Sequence, residues 1–394
     1  MNYNSDIVVI GAGPAGLSFC REFANSSISI TVVEKLPLSV LEDPPFDARE
    51  IALTHLSCEI MQKLNIWQQV PTDEIFRLKE AKVVNGTSSY QLHFPEPKKA
   101  RNGPTDRLGY LIPNHQIRKA AYTAMKDQNN VQLLTERTVN EVKILGDKVQ
   151  ISLDNGDTVE AKLLVCADSR FSTTRDKIGI PTDMHRFGRT VITFRVKHTE
   201  SNGNTAFECF HYGRTLAILP LTEHMSNMVI TIDSDKADNI LNLSEEDLAR
   251  DIYRETEGRL GDITIASTRH TYPLVGTHAR RFYTKRSALI GDAAVGMHPV
   301  TAHGFNLGLE GADILADQIL KAHAKNKDIG EKDVLEAYHF KHMLNTRPLY
   351  HGTNVVVKLF TNESTPAKFL RSAVLRVSNN LPPVKHLISR QLTG

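Results

Sequence analysis

Three glycines near the amino terminus, Gly11, Gly13 and Gly16, stand in the spacing G-x-G-x-x-G. They follow a continuous run from Asp6 to Ile10 of the kind buried in a parallel sheet, and they open a stretch where Leu17, Cys20, Phe23 and Ala24 recur at helical intervals. In such a loop the first glycine permits the tight turn and the second lets the backbone approach a pyrophosphate. The third allows close helix–strand packing. Pro14 and Ala15 fall at the helix start, where free N–H groups and the macrodipole favour an anion. Glu34, 18 residues after Gly16, ends the next β-branched run, Ile28 to Val33, where a carboxylate can accept both ribose hydroxyl hydrogens of an adenosine; Lys35 follows it. With strand, helix and acidic residue all in place, these residues read as a nucleotide site.

Other chemistry-bearing types cluster later. Cys166-Ala167-Asp168-Ser169-Arg170 ends a buried-strand run, and Gly291-Asp292-Ala293-Ala294 ends another; His298-Pro299 and Gly304-Phe305-Asn306 come next. The sixteen histidines include no HExxH, so a metal site is not expected. Cys20, Cys58, Cys166 and Cys209 lie far apart without a CxxC pair, which disfavours a disulfide framework, a zinc or iron–sulfur centre and a redox dithiol.

The elements that must position these groups follow from pattern. Residues 6–34 form one βαβ unit. Val149 to Leu153 and Thr158 to Ala161 flank Asp154-Asn155-Gly156-Asp157, a hairpin signal, and Leu163 to Ala167 follows as a buried strand. From about residue 181 the pattern changes to alternation, as in Ile192, Phe194 and Val196 or Met228, Ile230 and Ile232, with one helix expected from Ser244 to about Gly258. Phe194, Phe207 and Phe210 on these strands suit either a pocket lining or ordinary core. A helix is expected from Gly304 to Ala322 and a helical tail from about 331, broken late by Pro382-Pro383. The fold expected is α/β: a Rossmann-like domain at 1–75, 106–180 and 276–330, an inserted antiparallel sheet domain at 181–275 joined by strands of 76–105, and a C-terminal helical region at 331–394.

Composition excludes several classes. The 394 residues are 41% hydrophobic and 23% charged, ordinary for a globular chain, and 47 Lys+Arg against 45 Asp+Glu leave a net charge of only +2, which argues against nucleic-acid binding. No apolar stretch reaches a membrane span and no signal-peptide pattern opens the chain, so a cytoplasmic protein is expected.

Taken together, the Gly11–Gly16 loop, the Asp168-Ser169-Arg170 segment and Gly291-Asp292 through Asn306 resemble the class A FAD-dependent aromatic monooxygenases, with their para-hydroxybenzoate-hydroxylase-like fold. The run Phe46-Asp47-Ala48-Arg49-Glu50-Ile51-Ala52-Leu53 resembles the Asp-x-Arg-x-x-Ala-Leu signature of the ubiquinone-biosynthesis hydroxylases within that class, closest to their broad-regioselectivity branch. The resemblance implies FAD as cofactor, with Arg49, Asn114, Asp168, Gly291, Asp292, Pro299, Gly304, Phe305 and Asn306 beside it. Amide donors at the helix start near Gly304 suit the anionic edge of a reduced flavin. The resemblance further implies NAD(P)H and molecular oxygen as co-substrates, a flavin C4a-hydroperoxide, and a polyprenylated phenol or quinol as the ring hydroxylated. His298, Pro299 and His303 bracket the expected reacting edge.

A prenyl tail implies peripheral contact with the inner face of the cell membrane or a ubiquinone-biosynthesis assembly. The apolar stripes at 355–360 and 369–377, with Lys358, Lys368, Arg371 and Arg376, are read as helix packing or as such a contact. The chain departs from the family pattern at Ser169 (usually Gly), Gly296 (usually His), and Ala302-His303 (usually Gly-Gln). A catalytically silent FAD-binding scaffold subunit, a soluble-phenol hydroxylase and a prenyl-lipid reductase therefore stay open.

Overall fold

The computed structural model describes residues 1–85, 91–100, 103–211, 213–298 and 303–361. Pro299, Ala302, the stripe at 369–377 and Pro382-Pro383 lie outside the described residues.

The first sheet is built on strand Asn2–Ile10, which pairs in parallel with Ile30–Val33 on one side and Thr158–Cys166 on the other. Val131–Leu134 extends it beyond Ile30–Val33, and Ser287–Leu289 pairs in parallel with the end of Thr158–Cys166. The hairpin strands Val139–Leu145 and Lys148–Leu153 join its other margin antiparallel. Ile7, Val8 and Val9 are consecutive and all fully buried, as are Leu163 to Cys166, because helices cover both faces of a parallel sheet. The two runs expected at 158–161 and 163–167 are a single strand, Thr158–Cys166. Lys162, which separates them in sequence, lies at the surface and pairs with Asp6 at 2.8 Å.

Among the described residues the second sheet has nine strands. Its centre is Thr182–His198, bordered by His270–Ala279 and Met225–Asp233; beyond the latter come Arg214–Pro220, Thr205–Phe210, Glu80–Asn85 and Gln91–Phe94. Thr182–His198 begins well before the alternation visible at 190–197, because its register shifts between Arg186 and Thr190, beside Gly188 at φ +65°. One face is closed by helices Ala237–Leu241 and Glu245–Glu255, which bury Ile192, Phe194, Val196, Phe207, Cys209, Leu216, Ile218, Met228 and Ile230. Phe194 and Phe207 thus pack in this core, and Phe210 packs with Leu92, Phe94 and Leu108 on the other face. Ser244 caps Glu245–Glu255 by accepting from the Asp247 amide at 3.0 Å.

A small sheet, Glu50–Leu53, Gly109–Pro113 and Phe76–Leu78, sits between the two. Helix His303–His323 packs along the first sheet and against Lys332–Thr361, which runs through Pro348. No helix among the described residues is long and apolar enough to cross a membrane.

Candidate functional site

The glycine loop connects Asn2–Ile10 to helix Pro14–Arg21, with Pro14 at its first turn and Gly13 as its cap without a side-chain partner. Each glycine is required for a different reason. Gly11 has φ +105°, and a Cβ there would lie 2.6 Å from the Ala167 carbonyl oxygen. A Cβ on Gly16 would come within 2.1 Å of the Gly11 carbonyl oxygen. A Cβ on Gly13 would meet nothing within 4 Å. The first and third glycines are fixed by the protein's own backbone, while the middle one borders open space at a helix N-terminus. This is the cradle a pyrophosphate needs. Glu34 is buried beside it; its two carboxylate oxygens accept from the amides of Ala12 at 2.7 Å and Leu36 at 2.9 Å, so the side chain is held at the mouth of the loop. Lys35 points to solvent.

The late Gly-Asp segment folds directly onto this loop. Gly291 has φ +58°, and a Cβ there would stand 2.8 Å from the Ala15 Cβ; Gly308, on helix His303–His323, approaches the Gly291 Cα so that its own Cβ would lie 3.2 Å away. Asp292 accepts from Arg170 Nε at 3.0 Å and Nη2 at 2.7 Å. Arg175, almost wholly buried, donates to the carbonyls of Ala293 at 3.0 Å and Arg170 at 3.2 Å. Asp168 accepts from Ser172 Oγ at 2.5 Å and the Thr174 amide at 3.4 Å, and its Cα lies beside Gly11. Segments at 11–16, 168–175 and 291–296 therefore meet in one place. Ser169 takes φ +140°, a conformation that favours glycine. Gly296 lies against Thr277 and Arg170: a Cβ would come 2.7 Å from Thr277 Oγ1 and 3.3 Å from the Arg170 Cβ.

The segment from Phe46 to Glu50 carries a second cluster of polar contacts. Asp47 accepts from Arg49 Nε at 3.0 Å and Nη2 at 2.6 Å and from Asn114 Nδ2 at 2.7 Å. Burial would raise the Asp47 carboxyl, but Arg49 and Asn114 outweigh it and hold it below the usual carboxylate range. Arg49 lies over the Tyr272 ring at 5.0 Å. The Ala48 carbonyl accepts from Thr193 Oγ1 at 2.7 Å and Asn227 Nδ2 at 3.2 Å, which ties this arm to the second sheet. Glu50 is paired with Arg195 at 2.8 Å; burial pushes its carboxyl up to about 7 despite that partner. Asn306 accepts from the Thr54 amide at 3.0 Å and donates to the Ala52 carbonyl at 2.8 Å, so it joins the start of helix His303–His323 to strand Glu50–Leu53.

His298 is buried, 5.1 Å from the Phe187 ring centroid, and burial pushes its imidazole down to about 4, so it is neutral at pH 7. His303 is buried at the helix start, beside Gly304, and Phe305 packs on the main core. Three further residues bear on the site. Arg118 is held between the charges of Glu34, Asp47 and Arg49, its pKa lowered chiefly by burial. Thr193 and Asn227 anchor the Ala48 carbonyl. Only Arg118, an arginine one turn after Asn114 at a helix start, carries a signal readable in one dimension; Thr193 and Asn227 become neighbours only through strand register.

The residues fit FAD on two structural grounds: the open cradle at Gly13, and the buried Glu34 beside it. The FAD binding domain model matches residues 4–344 of the chain. The chain is 58% identical to ubiquinone hydroxylase UbiM of Neisseria meningitidis, over all of its own length and 86% of that protein. It is 28% identical to ubiquinone hydroxylase UbiL of Rhodospirillum rubrum, over 99% of this chain and 90% of that one. Among solved structures, p-nitrophenol 4-monooxygenase PnpA of Pseudomonas putida superposes with a TM-score of 0.78 at 17% identity, covering 100% of this chain and 99% of the other.

Proposed function

The chain belongs to the FAD binding domain family, and on that premise we propose that it hydroxylates the aromatic ring of a polyprenylated phenol or quinol in ubiquinone biosynthesis, with NAD(P)H and molecular oxygen as co-substrates. The observation that carries this reading is full-length similarity to a ubiquinone hydroxylase, joined to the convergence of the 11–16, 168–175 and 291–296 segments at the glycine loop.

The backbone amides of Gly13, Ala15 and Gly16 would hold the pyrophosphate, with Gly11 and Pro14 shaping the turn, Glu34 at the ribose and Arg49, Arg118 and Asp292 along the rest of the cofactor. Bound FAD supplies the redox chemistry and activates oxygen. The protein's task is to orient the ring and exclude water. The Arg170–Asp292 pair and buried Arg175 keep the 291–296 loop in place. The Asn306 clamp keeps the start of helix His303–His323 in register with the 46–53 arm. His298, neutral and buried, serves as a hydrogen-bonding wall with His303 rather than as an imidazolium acid.

The tail of such a substrate does not dissolve in water. We therefore place the protein in the cytoplasm, peripheral to the inner face of the cell membrane or within an assembly of its pathway. Exposed Phe340, Leu344 and Val355 on helix Lys332–Thr361 support this placement. Flotation with anionic liposomes tests it: a protein that stays in the soluble fraction and binds no pathway partner contradicts it.

The activity is tested by mass spectrometry of quinone intermediates in cells lacking the protein. The expected result is build-up of a species one oxygen short of the next intermediate. An unchanged intermediate pool overturns the reading. A pool restored by a variant that binds FAD but cannot oxidise NAD(P)H would instead identify a silent scaffold.

A further inference from the structure

Strand His270–Ala279 of the second sheet brings two residues against the 46–50 arm. His270 stands edge-on to the Phe46 ring, with centroids 5.5 Å apart. Tyr272, two residues later and so on the same face of the strand, donates its hydroxyl hydrogen to the Asp47 carbonyl at 2.6 Å. The next carbonyl, that of Ala48, is the one held by Thr193 and Asn227. Ala48 has φ +52°, a left-handed backbone that a non-glycine residue keeps only where its surroundings impose it. Three adjacent strands of the second sheet thus grip two successive carbonyls and set the turn from which Arg49 projects.

Arg49 is itself held by two groups. Asp47 accepts from its Nε and Nη2, and Asn114 fixes that carboxylate in turn. The second hold is the Tyr272 ring, 5.0 Å from the guanidinium carbon and supplied by a residue 225 positions from Asp47 in sequence. Arginines that fasten segments of this chain together are covered by what they fasten: 2% of the Arg175 side chain, 14% of Arg195 and 6% of Arg286 are exposed. Arg49 keeps 45% exposed although it is held. An ion pair so open to water adds little to stability. What the hold does remove is rotamer freedom, a loss that a long side chain otherwise incurs when it meets a ligand.

We infer that Tyr272 is a positioning residue for the cofactor: it pre-sets Arg49, so that the second sheet completes the FAD site. This rests on the proposed function, which sets Arg49 along the cofactor, and deepens it. A guanidinium is a planar fork, and its hold on an acceptor depends on how that plane is turned. The Tyr272 ring fixes the plane, and the Tyr272 hydroxyl fixes the turn beneath it. The glycine loop and Glu34 need only the first sheet and the helix that follows its first strand. Arg49 needs both sheets.

The test is a double-mutant cycle on the dissociation constant of FAD, read from the flavin fluorescence regained when the holoprotein is diluted. Arg49→Met should weaken FAD binding by about thirtyfold. Tyr272→Leu, which loses both ring and hydroxyl, should weaken it by about tenfold in the wild-type background. Once Arg49 is Met there is no guanidinium left to place, and the same substitution should then change the constant by less than about twofold. Tyr272→Phe keeps the ring and should recover most of the loss, staying within about threefold of wild type. Should Tyr272→Leu not fold, Tyr272→Thr, which suits a strand, takes its place in the cycle. If the Tyr272 variant leaves FAD binding unchanged, or weakens it by the same factor in both backgrounds, the inference falls and the proposed function stands. If Arg49→Met itself leaves FAD binding unchanged, the placing of Arg49 along the cofactor falls, and the inference with it.

Discussion

The two large sheets solve opposite problems. The first is buried on both faces, and its chemistry is carried by backbone: amides at a helix start, glycines where chains touch, a carboxylate at a strand end. The second is sealed on one face by helices and turned toward the cofactor half on the other, where Thr193 and Arg195 project from one strand and Asn227 from its neighbour. A backbone site is written in a few consecutive residues. A side-chain site on a sheet is written in register, which a single sequence does not display. Cofactor chemistry is shared by a whole family and can sit in the first kind of site, whereas substrate choice must vary and sits in the second.

Gly16 and Gly13 test the backbone half most sharply, with the largest effect expected anywhere in the chain. Gly16→Val puts side-chain carbon onto the Gly11 carbonyl oxygen, where even a Cβ would lie at 2.1 Å. It should cost at least about 3 kcal/mol and leave little folded protein with or without FAD. Gly13→Val has open space, so the FAD-free protein should melt within about 1 kcal/mol of wild type yet bind no flavin. Thermal melting of both, with and without added FAD, checks the pair. Equal destabilisation of the two FAD-free variants would mean that the middle glycine is structural too.

That contrast also explains what could be read in advance. The α/β architecture, the Gly11–Gly16 loop and Glu34 are local patterns with local causes, legible from periodicity and glycine spacing, whereas the Gly291-Asp292 turn is expected beside the cofactor through the family resemblance. The long strand Thr182–His198 was visible only from residue 190, because the shift at Arg186–Thr190 interrupts its alternation. Phe194 and Phe207 looked as suited to a pocket as to a core. They line the helix-covered core because the period of two places them with Ile192 and Cys209, and which face is covered is decided by the distant helices Ala237–Leu241 and Glu245–Glu255. Asn306 was expected beside the cofactor on the strength of its motif. Its side-chain amide joins Ala52 and Thr54, a pairing across 252 residues between Asn306 and Thr54 that no spacing rule foretells.

Arg195 tests the side-chain half. It is the charged partner of Glu50, whose side chain has no exposed surface, and it also lies 5.1 Å from the Phe46 ring. Arg195→Met leaves a buried carboxylate alone and should cost about 3 kcal/mol at pH 8. The Glu50 carboxyl is already raised to about 7 by burial, with Arg195 opposing; without Arg195 it rises further and keeps its proton at pH 6. Its folded pKa lies above the unfolded one, so the stability it contributes is present at low pH and lost as pH rises through the folded value. The penalty for Arg195→Met should therefore shrink on going from pH 8 to pH 6. A urea midpoint equally lowered at both pH values would exclude the buried carboxylate as its cause.

The seam where the C-terminal helix meets both halves should respond to acid with the opposite sign. His342 is fully buried against Tyr338, their rings stacked at 5.7 Å, and burial pushes its imidazole down to about 3; His278, 5.4 Å from Phe282, is pushed down to about 4. A ring held neutral in the fold but free to protonate when unfolded contributes stability that is complete above the unfolded pKa of about 6.5 and is lost as pH falls toward the folded value. Comparing wild type with His342→Leu isolates one such ring from the carboxyls that titrate in the contrary direction. The advantage of wild type should fall by about 1.4 kcal/mol per pH unit below 6.5, roughly 3 kcal/mol by pH 4.5. A constant difference across that range would mean that His342 is hydrated or paired on protonation.

The smallest effect concerns a place where the backbone half breaks its own rule. Ser169 holds φ +140°, where a Cβ is strained and glycine is not, and the return is a single hydrogen bond from the Phe171 amide to its hydroxyl at 3.2 Å. The strain is worth about 1–2 kcal/mol and the bond about 0.5–1. Glycine also adds freedom to the unfolded chain, which takes back several tenths. Ser169→Gly should therefore stabilise by no more than about 1 kcal/mol, a melting rise of a few degrees. It should leave FAD content unchanged, because the turn at Asp168 is held independently by Ser172 and Thr174. If Ser169→Gly instead raises NAD(P)H oxidation without changing stability, the serine has been retained to shape the approach of the nicotinamide. Substrate-half logic, a side chain chosen for a ligand, would then extend into the cofactor half.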